Sequence, residues 1–230
     1  MSRQISNELF EHLGGLKLSQ LSCSSAEKLP EMVDYIDAVA WNFICGFYYK
    51  NPSVTNLEVA FLRQCNAAAR YYESGRENLE KHFARQTKNW GDTRGLQSYF
   101  YSLEGFENCI GAVCKAFALE NELRALFVPE KHPERRVFTT GDGSDLERVQ
   151  KLNNLAKHWS SAQAREGNTA PFWITDAGLT SDDAELSFFE LRNILAELNN
   201  SCHNKFVELP ALARKRREEQ KIESLGSEAK

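Results

Sequence analysis

Three long stretches of this chain place apolar residues every three or four positions, a spacing that is typical of amphipathic helices. They run from Ser24 to Tyr49, from Thr55 for about thirty residues, and from Leu96 to Leu126. Pro52 separates the first two stretches, and Pro129 ends the third. Because long helices with short connections usually pack side by side, the sequence predicts an all-α antiparallel bundle.

A fourth helix is expected after a polar connection. The pattern S-x-x-E at Ser144–Glu147 is a capping box and predicts a helix that begins near Asp145. The residues before it are rich in Pro, Gly and Asp, so 127–145 is interpreted as a loop insertion at one end of the bundle. Within the second helix, Gly75 is expected to loosen the helical turn.

The last part of the predicted domain contains one extended piece and one helix. Gly167–Leu179 is interpreted as extended, and Leu186–Val207 as a helix with Phe189 on its apolar stripe. The bundle should then contain four or five long helices within one domain, 1–210. The charged segment 211–230 is predicted to be a helical extension that is frayed or disordered.

Composition limits the classes of function. The chain has 230 residues and a formal net charge of −4, which excludes an overall cationic field, so any nucleic-acid contact must be local. The N-terminus has no apolar signal core and no stretch is long enough to span a bilayer, so we expect a cytoplasmic protein without a membrane partner. The six cysteines form no C-x-x-C pair and are expected to be reduced packing residues.

The common catalytic motifs for nucleotide, zinc-hydrolase, serine-hydrolase and dinucleotide sites are absent, and no metal or cofactor is expected. In the fourth helix, Asn154 and His158 stand four residues apart and therefore face the same way. Lys151 and Lys157 add positive charge beside them. Such a group could hold a phosphate or a nucleotide, with His158 available for proton transfer. The alternative is a surface histidine beside a helix-packing tryptophan.

The segment LNNLAKHW in this helix resembles the signature helix of HEPN-like proteins, a superfamily of helical bundles common in prokaryotic toxin–antitoxin and phage-defence systems. Its members often carry an arginine, a polar residue, three further residues and a histidine. Asn154 matches the polar position and His158 the histidine, while Asn153 stands where the arginine would be. In catalytic members the resemblance implies metal-independent RNA cleavage, and a neutral Asn153 cannot supply the arginine's charge.

Two other arginines could take over the role of that missing charge. Arg148 lies on the same helix, ten residues before His158, and is a candidate for contact with phosphate. Arg76 and His82 form a second candidate pair near the end of the second helix, although Glu77 occupies the usual neutral polar position there.

We therefore carry three hypotheses. The first is a non-catalytic module of a defence system that binds RNA, a nucleotide or a protein partner through residues such as Lys151, Lys157 and Asn153. The second is a metal-independent ribonuclease that uses His158 or His82 as general acid or base. The third is a structural scaffold. The resemblance also implies a homodimer, and some of the aromatic residues of Phe47–Tyr49 and Tyr99–Tyr101 are candidates for its interface. The alternative is that these aromatics lie in a thick core.

Overall fold

The computed structural model describes residues 26–29, 52–86, 93–127, 138–158, 171–181 and 183–208. This part of the chain is mostly helical and includes a small antiparallel sheet. In chain order its elements are α1 (Pro52–Gln86), α2 (Thr93–Phe127), α3 (Asp145–His158), β1 (Trp173–Ile174), β2 (Gly178–Thr180), β3 (Glu185–Ser187), α4 (Phe188–His203) and a π-helical segment (Asn204–Glu208).

The helices α1 and α2 pack antiparallel along their length. The Arg85 guanidinium donates to the Ser98 hydroxyl at 2.7 Å, and the Ser102 hydroxyl donates to the Gly75 carbonyl at the same distance. A Cβ atom added at Gly105 would lie only 2.7 Å from the Gly75 backbone, so the two glycines allow direct contact between the helix backbones.

This contact corrects the expectation for Gly75. Helix α1 continues through Gly75 without interruption from Pro52 to Gln86. A Cβ at Gly75 would also come within 3.2 Å of the Phe106 ring. The glycine is therefore a packing position, where the absence of a side chain lets α2 approach, and not a break in the helix.

Helix α3 begins at Asp145, as the sequence predicted. The Ser144 hydroxyl accepts the Glu147 N–H at 3.1 Å, which is one half of the expected capping box. The second half differs, because the Glu147 carboxylate does not return to the Ser144 N–H. It accepts the N–H groups of Gly141 at 2.6 Å and Gly143 at 2.7 Å instead.

The predicted extended piece is part of a three-stranded sheet in the order β1-β2-β3, with Ile174 opposite Leu179 and Leu179 opposite Leu186. Leu186 is thus a strand residue, and the prediction that the last helix begins there is wrong. Helix α4 begins at Phe188, after a complete capping box between Ser187 and Glu190.

Phe189 was also expected on the buried stripe of this helix, but 68% of its surface is exposed. It follows the strand-to-helix corner directly, and the stripe is shifted to its neighbours. The buried residues of the helix are Phe188, Leu191, Ile194, Leu195, Leu198 and Cys202.

The core lies between the four helices α1 to α4 and the sheet. Four cysteines, Cys65, Cys109, Cys114 and Cys202, are buried and form no disulfide, which confirms the packing role expected for them. Burial raises the pKa of the Cys114 thiol to about 12, so this thiol stays protonated at neutral pH.

The helix predicted from Ser24 to Tyr49 is described only at 26–29, and there the backbone is irregular rather than helical. The Leu29 N–H donates to the Glu73 carboxylate at 2.7 Å, and the Glu27 carbonyl accepts the Tyr72 hydroxyl at 3.0 Å. Because these backbone groups bond to α1, they are not available for a helical turn. The rest of this predicted helix, most of the 127–145 loop and the 211–230 extension lie outside the described residues.

None of the helices in the described ranges combines the length and the apolar character that crossing a bilayer requires.

Candidate functional site

A cleft of about 810 Å³ lies between α1, α2 and α3. Its inner wall is made of small residues, Ala67, Gly111, Ala112 and Ala156. Small side chains at the positions where three helices meet leave space that larger ones would fill. The cleft is therefore a product of the local sequence, and we call it the α1–α2–α3 cleft.

Four cationic side chains line this cleft: Arg63, Arg70, Lys115 and Lys157. All four are exposed, and none forms an ion pair or a side-chain hydrogen bond with a residue that the structure describes. Among the described residues, Glu107 supplies the one carboxylate of the lining. The cleft is thus locally basic in a chain whose formal net charge is −4.

Asn153 is a further polar group that a ligand in the cleft could contact. This side chain lines the cleft but is only 5% exposed, and its Oδ1 lies 3.8 Å from the Cβ position of Gly111. Its carboxamide forms no hydrogen bond with another described residue. Its carboxamide is therefore available to donate to or accept from a ligand in the cleft.

Tyr71 and Glu107 complete the lining at the side of Gly105. The Tyr71 ring is 41% exposed, although tyrosine usually buries its ring, and a Cβ at Gly105 would lie 3.2 Å from the Tyr71 carbonyl oxygen. Burial raises the pKa of the Glu107 carboxyl, and the nearby charge of Glu104 raises it further. Glu107 also forms no ion pair or hydrogen bond with a described residue.

The opposite side of α3 carries a smaller opening of about 450 Å³, which we call the α3 groove. It brings together three of the predicted residues, Lys151, Asn154 and His158, and adds Asp183. Lys151 already forms an ion pair, since its ammonium lies 3.1 Å from the Glu147 carboxylate. Asn154 and His158 are both exposed.

Arg148 lies at the other end of α3 from His158. The ten residues between them correspond to about 15 Å along the helix axis. The Arg148 guanidinium donates to the Gly143 carbonyl at 2.7 Å and to the Glu190 carboxylate at 2.6 Å, and it also pairs with Asp145. Arg148 thus joins α3 to α4 and is not brought together with His158.

The residues of the second candidate pair, Arg76 and His82, are not brought together either, because each contacts different neighbours. Arg76 pairs with Glu73 at 2.7 Å and with Glu80. His82 is 2% exposed and its ring lies 5.4 Å from that of Tyr99 and 5.6 Å from that of Phe83. Six residues along a helix rotate by about 240°, so the two side chains leave α1 in different directions.

The predicted phosphate-binding residues are therefore divided between two openings. Asn153 and Lys157 line the α1–α2–α3 cleft, whereas Lys151 lines the α3 groove. Sequence analysis missed Arg63, Arg70 and Lys115, together with Tyr71. The sequence did contain one indication of this cleft. Arg63 and Arg70 are seven residues apart, which places them on one face of α1 with Ala67 between them.

Within the described ranges, no group of three or more His, Cys, Asp or Glu side chains is arranged to hold a metal ion. Comparison with protein families, with curated proteins and with solved structures found no match for this chain. The chemistry of the two openings must therefore be judged from their own residues.

Proposed function

We propose that the protein is a non-catalytic module that binds RNA or a nucleotide in the α1–α2–α3 cleft. One observation carries this proposal: four cations without carboxylate partners among the described residues surround the cleft, which Asn153 also lines. Unpaired cations repel one another unless an anion lies among them. Phosphate esters supply such an anion together with acceptors for arginine and lysine donors.

The exposed ring of Tyr71 favours a nucleic-acid ligand over a simple inorganic anion. Aromatic side chains beside a basic groove provide stacking surfaces for bases, and the stacking tolerates any base sequence. The acidic balance of the whole chain limits attraction to the cleft itself, because the rest of the surface does not favour a polyanion.

The experiment measures binding of a fluorescently labelled, mixed-sequence single-stranded RNA by polarisation at several salt concentrations. Lys115→Glu should weaken binding at least tenfold and should lower the slope of log Kd against log salt by about 0.7 for each phosphate that the protein no longer neutralises. The matched control is Lys81→Glu, which makes the same charge change on α1. Lys81 is exposed and does not line the cleft. Equal loss in both variants, or no binding by the wild type, would refute binding of RNA in this cleft.

Metal-independent cleavage of RNA is the second candidate function, because Lys151, Asn154 and His158 do line one groove. The test incubates RNA with the protein in a chelator and compares the wild type with His158→Ala and His82→Ala at equal helicity. Cleavage lost only in His158→Ala would establish catalysis in the α3 groove. Absence of cleavage by the wild type would leave the binding module.

Other parts of the sequence-based interpretation stay proposals. These are the HEPN-like relationship with its defence context, the cytoplasmic location, the completion of a four- or five-helix antiparallel bundle, and the homodimer. One observation supports the last, since Phe100 and Tyr101 are adjacent exposed aromatics on α2. Size-exclusion chromatography with light scattering would test the homodimer, and Tyr101→Glu should shift it toward the monomer.

A further inference from the structure

The α1–α2–α3 cleft has two chemically different ends. Helix α1 runs antiparallel to α2, so residues early in α1 lie beside residues late in α2. Tyr71 lies next to Gly105, and Arg63, eight residues earlier, is displaced by about 12 Å toward Lys115. The cleft therefore has one end near Arg70, Tyr71 and Glu107 and another near Arg63 and Lys115.

Helix α3 contributes Asn153, Ala156 and Lys157 to the third side of the cleft. Asn153 lies over Gly111, and the Lys157 charge acts on the Cys114 thiol, next to Lys115. Lys157 consequently joins the end that already contains Arg63 and Lys115. This end, which we call the cation end, has three positive charges and no carboxylate from the described residues.

The end near Gly105 differs, because it has a single cation, Arg70, together with an acceptor and an aromatic ring. Glu107 lines it with an acceptor-only carboxylate that has no partner among the described residues, and Tyr71 exposes its ring there. The Glu107 carboxylate offsets the Arg70 charge, so this end attracts a phosphate less strongly than the cation end does. A flat ring with N–H donors would both stack and bond there. We call this the ring end. Asn153 lies between the two ends, where a carboxamide can bond to a sugar hydroxyl or a base.

From this polarity we propose that the cleft binds a single guanine nucleotide, with its phosphate at the cation end and its base stacked on Tyr71 against Glu107. The proposal rests on the proposed function and names the ligand of the same cleft. From Glu107 to Lys115 the axis of α2 advances by about 12 Å, which is comparable to the length of one nucleotide from phosphate to base edge.

Guanine is selected by the chemistry of Glu107. The exposed edge of guanine carries two adjacent donors, the ring N1–H and the amino group, and a carboxylate can accept both in a bidentate bond. Adenine and cytosine place a ring acceptor beside their amino donor, and uracil places two carbonyls around its single donor. Those three bases would each direct at least one lone pair at the Glu107 carboxylate.

The test is isothermal titration of the full chain with guanosine, adenosine, cytidine and uridine 5′-monophosphates, and with ribose 5-phosphate. The guanine nucleotide should bind at least tenfold more tightly than the other three. Glu107→Gln should remove most of that preference while the adenine nucleotide still binds. Tyr71→Ala should weaken the guanine nucleotide about tenfold or more without changing ribose 5-phosphate, and Tyr71→Phe should retain binding.

Equal affinity for all four nucleotides, or an unchanged preference in Glu107→Gln, would overturn the guanine assignment. If labelled RNA binds with the expected salt dependence but ribose 5-phosphate binds as tightly as the guanine nucleotide, the assignment fails and the proposed RNA-binding function stands. If neither RNA nor any nucleotide binds, both fail. Circular dichroism of each variant distinguishes weaker binding by a folded protein from loss of folding.

Discussion

Lys157 and Lys151 lie on the same helix, but their surroundings differ. Lys157 lines a cleft among cations that have no carboxylate partner in the described part of the chain, whereas Lys151 lies 3.1 Å from Glu147. Arg148, near Lys151, is likewise joined to Asp145 and Glu190. The charges on the Lys151 side hold elements together, and those on the Lys157 side remain available for a ligand.

The largest effect should come from the contact that sets the walls of the cleft. In Gly105→Ala the new Cβ meets the Gly75 backbone at 2.7 Å, which forces α1 and α2 apart. Overpacking of this kind should cost about 3 kcal/mol and lower the Tm by roughly 6–12 °C, measured by calorimetry. The matched control is Gly111→Ala, whose Cβ meets only Asn153 at 3.8 Å. An alanine there should leave the Tm unchanged or raise it, and a similar loss in both variants would contradict the packing role of Gly105.

The next prediction compares a paired arginine with an unpaired one. Arg148→Ala removes the link from α3 to Glu190 and should lower the free energy of unfolding by about 1.5–3 kcal/mol in urea titrations. Arg70→Ala removes an exposed cleft cation and should change it by less than about 0.5 kcal/mol. RNA affinity should follow the reverse order, with the larger loss in Arg70→Ala. Equal losses of stability in the two variants would contradict the view that Arg148 stabilises the fold through its ion pairs and Arg70 does not.

Two carboxylates should give opposite effects of pH. The N–H groups of Gly141 and Gly143 lower the pKa of Glu147 to about 2, so its stabilising effect is complete above pH 4.5 and is lost as the pH falls toward 2. Glu147→Gln should therefore lower the Tm at pH 7 and flatten the dependence of the Tm on pH between 4.5 and 2.

For Glu107 the pKa is raised by burial, so ionisation of the carboxyl disfavours the folded state. Glu107→Gln should raise the Tm slightly at pH 7, and a decrease would show that the Glu107 carboxylate has a stabilising partner.

The smallest effect is expected at His158. The side chain is exposed at the end of α3, so His158→Ala should change the free energy of unfolding by less than about 0.5 kcal/mol. It should also leave RNA affinity unchanged, because His158 lies in the α3 groove and not in the cleft. A tenfold loss of RNA affinity in a titration of this variant would place the ligand on the other side of α3.

The sequence predicted a helix correctly where a periodic pattern of apolar residues is bounded by a residue that begins or ends helices. The apolar stripes predicted α1 and α2, and Ser144 predicted the start of α3. It misplaced the start of α4 at Leu186, although the S-x-x-E pattern recurs at Ser187–Glu190 and marks the true beginning. A short strand beside a helix has too few residues for its period of two to be distinguished from a helical stripe.

The site was only partly predictable, for a different reason. Asn153 and Lys157 were singled out because they belong to the segment that carries the histidine pattern, and they line the cleft. Arg63 and Lys115 belong to helices with ordinary polar faces, and nothing in either helix alone indicates that these faces meet. Their convergence depends on the antiparallel register of α1 and α2, which the Gly75–Gly105 contact sets and periodicity does not encode.

The turn before α3 has a consequence for where a phosphate can bind. The N–H groups of Gly141 and Gly143 resemble the backbone amides that cradle phosphates, but the Glu147 carboxylate occupies both of them as an intramolecular ligand. A tethered group has a high effective concentration, and with a pKa of about 2 it is fully charged at neutral pH. Dissolved phosphate cannot compete for these amides, so the protein has closed its most obvious anion site with its own side chain.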